Sequence, residues 1–280
     1  MSHDHRAWRH LLTWACFCAM LFGSWNYDIH DASAAAGTFA YESAVNRCRG
    51  DVARPIAISD DQTVLCFDGE IMFDQDFSPV RKLKENGVFV IRSPGGSVEA
   101  AIALARLLNE RHAIVVVHDY CFSACAAYLL IATDLTVVRK NSLVTWHHIL
   151  SGFPDCFEMK SYDDGPTTVQ SAPCPAVPEE RLTRHRHAEE LSLKYYRERT
   201  LYPSMFGTGF AAPQSLHVRR ALKNMLDGTG AFPEVSWMWN PRYYKNVFKT
   251  NVTYEAYPES QAEADEIAAR LGIRRVIYDP

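Results

Sequence analysis

Ser93-Pro94-Gly95-Gly96-Ser97, Cys121-Phe122-Ser123-Ala124-Cys125 and Trp146-His147-His148 are the stretches on which the reading of this chain turns. The first follows Val88-Phe89-Val90-Ile91, a nearly all-apolar run of the kind seen in strands buried on both faces. Ile114-Val115-Val116-Val117 precedes the second, and Leu143-Val144-Thr145-Trp146 leads into His147. Between the first two, Val98 to Arg111 places Ile102, Leu104, Ala105, Leu107 and Leu108 at the spacing of a helix packed on a sheet. A second helix is expected to begin near Ser123 and to run through Ala126, Ala127, Leu129, Leu130 and Ile131. It is apolar all round, so it should be deeply buried. With Val64-Leu65-Cys66-Phe67 and Thr136-Val137-Val138 as further strands, the alternation predicts an α/β architecture with right-handed crossovers.

Each of the three stretches has an ordinary use. A serine at a helix start is commonly an N-cap, a glycine pair after a strand can be a tight turn, and a histidine can simply fill a core. Their combination says more. Glycines after a buried strand let the backbone approach a ligand and point N–H groups at it. A hydroxyl at a helix N-terminus sits in a positive local field. A histidine titrating near neutrality can take a serine proton and return it. A cradle, a nucleophile and a base are the parts of acyl transfer. Phosphate binding is the weaker use of the glycines, because neither G-x-x-x-x-G-K-[ST] nor G-x-G-x-x-G is present. If the last strand continues, His147 and His148 point to opposite sides, so only one of them can face the serine.

Ile91-Arg92-Ser93-Pro94-Gly95-Gly96-Ser97-Val98, Cys121-Phe122-Ser123-Ala124-Cys125-Ala126 and Trp146-His147 together resemble the Clp protease/crotonase superfamily. The nearest likeness is to its periplasmic, Clp-protease-like serine hydrolase branch with a Cys-x-Ser-Ala-Cys turn. The likeness covers residues 62–150. It implies Ser123 as nucleophile, His147 as general base, and the Gly96 and Ala124 N–H groups as oxyanion hole. It implies a spiral of β-β-α units, a peptide or acyl substrate, no cofactor, and the homo-oligomers common among members. The acidic residue that closes the Clp triad has no motif here: Asp163, Asp164, Glu189, Glu190 and Glu198 all stand as candidates. Lys140, the one lysine near the site in the matched segment, sits in a turn and reads as solvated rather than as the base of a Ser–Lys dyad.

Outside this core the organisation is looser. Residues 1–36 carry Arg6 and Arg9, an apolar run from Leu11 to Phe22 and small residues at Ala32-Ser33-Ala34-Ala35-Ala36, which predict a signal peptide or N-terminal anchor. The chain is therefore expected to be periplasmic or secreted, with membrane association through the N-terminus if the leader is kept. Residues 37–61 form a variable, polar lead-in. Residues 151–280 read as a disulfide-containing loop and a C-terminal, α-rich extension, with helices over Arg181–Arg199, Gln214–Leu226 and Ser260–Leu271 and a strand over Ile273–Tyr278. Trp237, Trp239, Tyr243 and Tyr244 read as core aromatics rather than a ligand surface.

Six cysteines remain beyond the leader, and an exported chain favours disulfides. Cys48–Cys66 and Cys156–Cys174 are the expected local pairs, which leaves Cys121 and Cys125 beside the serine. A zinc site built from Cys121, Cys125, His118, His147 and His148 would crowd Ser123 and is set aside. With a net charge of −4, a pI near 6.3 and no long basic runs, nucleic acid is not an expected partner. The reading is an exported serine hydrolase, a Clp-like peptidase. Its competitor is a non-catalytic exported module that keeps the fold for binding or assembly.

Overall fold

A computed structural model describes residues 41–147, 179–200, 236–242, 247–273 and 276–280. The chain divides into two units, Met1–Arg47 and Cys48–Pro280. In the first, residues 41–47 are helical. The expected leader, the expected helix over Gln214–Leu226, His148, Cys156, Cys174, Tyr243 and Tyr244 lie outside the described residues.

The second unit is a mixed α/β structure around a sheet of nine described strands. The elements that place the site are β1 (Ile56–Ile58), β2 (Val64–Asp68), α1 (Ser78–Lys82), β3 (Val88–Ser93), α2 (Val98–Glu110) and β4 (Ile114–Phe122). They are followed by a π-helical turn (Cys125–Leu129), β5 (Leu135–Val138) and β6 (Leu143–His147). β2, β3 and β4 run parallel, and β1 closes one edge antiparallel to β2. Phe89, Val90, Ile91, Val115, Val116 and Val117 are all fully buried, as the apolar runs predict. Ser97 caps α2 by accepting from the Ala100 N–H at 3.3 Å, and Ala101, Leu104, Ala105 and Leu108 form its buried stripe.

β4 extends five residues beyond the predicted Val117, through His118-Asp119-Tyr120-Cys121-Phe122. The polar His-Asp pair hides the continuation in the sequence. Between Ile91/Val117 and Ser93/Cys121 the β3–β4 register shifts, and Asp119 takes a positive φ of 58°. Such a bulge bends a strand and increases its twist. The two halves of β4 then take different partners on the same side: Ile114–Val117 pairs with β5, and Tyr120–Phe122 pairs with β6, both parallel. β5 and β6, adjacent in sequence, therefore each lie beside β4. The bulge is tied down by charge. Arg92 grips Asp68 with two hydrogen bonds of 2.8 and 2.6 Å and reaches Asp119 at 3.4 Å, Arg54 joins the Asp68 carboxylate, and Arg49 reaches Asp119 at 2.7 Å. His118 Nδ1 lies 3.3 Å from Asp119 without a well-aligned hydrogen bond. The adjoining His118 ring and then Arg49 hold the Asp119 carboxyl well below the usual carboxylate range.

The C-terminal part differs from the α-rich extension that the sequence suggests. It supplies α3 (Glu179–Arg199) and α4 (Gln261–Arg270), and also β7 (Ser236–Trp239), β8 (Asn251–Tyr254) and β9 (Val276–Asp279). β8 adds parallel to β5, β7 adds antiparallel to β6, and β9 adds parallel to β7. Trp237, Met238 and Trp239 are consecutive and all buried, so β7 has no alternation by which a sequence could reveal it. Trp237 and Trp239 are buried in the core as read, and Trp146 stacks on Trp239 at 4.9 Å. The expected terminal helix and strand are present as α4, capped by Ser260, and β9.

Cys48 and Cys66 form the expected disulfide, with Cα atoms 5.4 Å apart. It fits an oxidising compartment. Among the described residues no helix is long and apolar enough to cross a membrane.

Four buried phenols make the core sensitive to alkali. Tyr128 accepts or donates at Ser192 Oγ (2.7 Å), Tyr195 donates to the Tyr128 carbonyl, Tyr196 to the Ala127 carbonyl, and Tyr257 to the Val144 carbonyl. Burial pushes the Tyr128 hydroxyl up to about 12 and holds Tyr195, Tyr196 and Tyr257 well above the ordinary phenol value. Their folded pKa values lie above the unfolded value of about 10. Their stabilisation is thus complete below pH ~10 and is lost as pH rises through the folded values. We expect ultraviolet titration to show these phenols ionising only together with loss of near-UV circular dichroism. Four phenols titrating normally near pH 10 in folded protein would contradict this.

Candidate active site

Three chain segments meet at the carboxyl ends of β3, β4 and β6. At the end of β3, the buried Ser93 Oγ accepts from the Gly95 N–H at 3.1 Å and fixes the turn. Gly95 and Gly96 have φ of 97° and 140°, in the region that favours glycine. Ile71 holds them from outside: its N–H donates to the Gly95 carbonyl and its carbonyl accepts from the Ser97 N–H, both at 2.8 Å. In that parallel bridge Gly96 turns its own N–H away from Ile71.

The glycine turn lies directly on the serine turn. A Cβ on Gly95 would come within 2.6 Å of the Phe122 carbonyl oxygen, 2.7 Å of Ser123 Cβ and 2.9 Å of the Ala124 nitrogen. Only a residue without a side chain allows that approach. The family resemblance implies the Gly96 N–H as oxyanion donor; the closest packing on the serine turn comes from its neighbour Gly95.

Ser123 follows the last residue of β4 and has φ 53°, a left-handed conformation that costs a residue with a Cβ. Strained non-glycine backbone clusters at functional sites, and a nucleophile can sit on such a strand-to-helix turn. Its N–H donates to the Thr145 carbonyl at 3.0 Å, and its carbonyl accepts from the Ala127 N–H at 2.8 Å. It is 8% exposed, and no described residue hydrogen-bonds its Oγ. Neither the Gly96 nor the Ala124 N–H has an acceptor among the described residues. The helix expected after Ser123 opens as a π-helical turn in which Leu130 N–H reaches the Cys125 carbonyl at 3.3 Å.

His147 is the last residue of β6, two places beyond the Thr145 that holds Ser123, and pairs with Ser236 of β7. Its description ends at the backbone. Thr145 itself is fully buried, and its Oγ1 has no hydrogen-bond partner among the described residues. No local signal around Thr145 reveals its part in seating the serine.

Of the acidic candidates, Asp163 and Asp164 lie outside the described residues. Glu189 and Glu190 belong to α3, where Glu190 is exposed. Glu198 is exposed and lies 3.5 Å from Arg106. Lys140 is exposed in the link between β5 and β6, as its turn setting suggests. Cys121 and Cys125 are joined as a disulfide, which removes both thiols as metal ligands.

Compared with models of known protein families and with curated proteins, the chain matches none of them.

Proposed function

We propose that this chain is an exported serine hydrolase, a Clp-like peptidase of the Clp protease/crotonase type with that superfamily's spiral of β-β-α units. Ser123 Oγ attacks the acyl carbon of a peptide or related acyl substrate while His147 takes its proton. The oxyanion is received by the Gly96 and Ala124 N–H groups. His147 returns the proton to the leaving group, and a water activated by the same histidine then releases the acyl group from Ser123. The observation that carries this reading is the strained, buried Ser123 at the end of β4, with the Gly95-Gly96 turn pressed against it and two neighbouring N–H groups that have no acceptor among the described residues.

A fluorophosphonate probe tests it. We expect the wild-type protein to form an adduct mapped by mass spectrometry to Ser123, and His147→Ala to slow adduct formation by about 10²-fold or more. Folded wild-type protein that takes no label would overturn the hydrolase and favour the binding module. Normal labelling in His147→Ala would remove the base assignment alone.

A further inference from the structure

Cys121 and Cys125 flank Ser123 at equal distances in the sequence and are bonded to each other, so the serine sits at the centre of a five-residue ring. The ends of this ring are already held. Cys121 lies within β4, paired with Ser93 and Val144, and Cys125 begins the π-helical turn. Chain-entropy stabilisation grows with the length of the loop closed, so this bridge contributes less to stability than Cys48–Cys66, whose separation is 18 residues. The short ring constrains something else: the backbone of Phe122, Ser123 and Ala124. Those are the residues that Gly95 touches and that carry the nucleophile and the Ala124 N–H, which has no acceptor among the described residues.

Left-handed backbone persists at a residue with a Cβ only when the surroundings over-determine it. Around Ser123 the restraints are its N–H bond to Thr145, the Ala127 N–H bond to its carbonyl, the Gly95 backbone and the disulfide. Of these, the disulfide alone is set by the redox state of the compartment.

We propose that the Cys121–Cys125 disulfide is a redox licence for the active site, with the dithiol form folded but unreactive and the disulfide form reactive. This rests on the hydrolase reading above. Opening the ring lets Ser123 relax to negative φ, which withdraws Oγ and the Ala124 N–H from the cradle. Closing it transfers two electrons and two protons to a disulfide acceptor of the glutathione or dithiol-oxidoreductase class. One S–S bond forms between Cys121 and Cys125, the acceptor's S–S bond breaks, and two acceptor thiols leave. Both cysteines are fully buried, so the bond forms as the chain folds and is then shielded. A chain still in a reducing compartment would be silent, and the same chain folded in an oxidising one would be active.

The test compares the full chain with two double variants, Cys121→Ala/Cys125→Ala and Cys48→Ala/Cys66→Ala, by fluorophosphonate labelling rate, thermal melting and hydrogen exchange. We expect the first to melt cooperatively yet label at least tenfold more slowly, with faster exchange at the Ser123 and Ala127 N–H groups. The second should melt at a lower temperature and label at the wild-type rate. A folded Cys121→Ala/Cys125→Ala protein with wild-type labelling overturns the proposal. So that no variant need fold, wild-type protein is also refolded in graded glutathione buffers and its 121–125 thiols are trapped and quantified. The labelled fraction should follow the oxidised fraction of this pair, and label on molecules trapped as the 121/125 dithiol overturns the proposal. If oxidised wild-type protein takes no label, the hydrolase reading fails by itself. Hydrogen exchange then judges the ring separately: unchanged exchange on removing the bridge overturns its hold on Ser123.

Discussion

Ser123→Ala is expected to lose peptide or ester hydrolysis by a factor on the order of 10⁴ or more while the protein stays folded. The loss is large because nucleophile and base act as a unit, and the oxyanion donors that remain sustain only residual catalysis. The fold should be indifferent. No described residue hydrogen-bonds Ser123 Oγ, and alanine keeps the same Cβ in the same left-handed backbone, so stability should change by less than about 0.5 kcal/mol. Ser123→Gly sharpens the test. It also removes the nucleophile, but it relieves the cost of φ 53° and should leave stability unchanged or raise it by up to about 1 kcal/mol. Denaturant midpoints and initial rates on the three proteins check both halves. Retained turnover in either variant would remove Ser123 from the chemistry, and a marked loss of stability in Ser123→Gly would show that its conformation is not strained.

Gly95→Ala should be strongly damaging, because it drives the glycine turn off the serine turn. At φ 97° an L-residue is strained before any contact is counted. The added carbon would also lie 2.6 Å from the Phe122 carbonyl oxygen, 2.7 Å from Ser123 Cβ and 2.9 Å from the Ala124 nitrogen. None of these is the movable end of a flexible side chain, so the two turns must separate. We expect a loss of about 2–4 kcal/mol in unfolding free energy and no measurable fluorophosphonate labelling. Gly272→Ala is the control. Its φ is 70°, yet no described residue lies within 4 Å of the added carbon, so it should cost only about 1 kcal/mol and leave labelling intact. Equal effects from the two substitutions would show that the contact between the glycine and serine turns does not matter.

Much of the framework was legible because its residues carry local signals. The apolar runs of β3 and the first half of β4 announce buried strands, the stripe on α2 announces a helix on a sheet, and Ser97 announces where it starts. The Cys48–Cys66 bridge was expected from short separation in a chain that carries an export-like leader, and α4 with β9 from a helical stretch that Gly272 stops before an apolar strand. The candidate nucleophile, cradle and base residues could be named because glycine pairs, serine turns and histidines at strand ends have few uses in combination.

What only the tertiary structure decided are relations between distant segments. The bulge at Asp119 is one: it bends β4 so that its halves pair with β5 and β6, and its ion partners Arg49 and Arg92 come from elsewhere in the chain. β7 is another, because Ser236-Trp237-Met238-Trp239 becomes a strand by lying beside β6 rather than by any period of its own. The same holds at the serine. The sequence determined by itself that a serine, a glycine pair and a histidine follow strands in that order. Folding alone decided that Gly95 presses on Ser123, that Thr145 holds its amide and that Cys121 bonds Cys125 around it. The physical reason is that residue type and spacing act within a few residues along the chain, whereas a left-handed serine is held by atoms that only the folded sheet brings within a few ångströms.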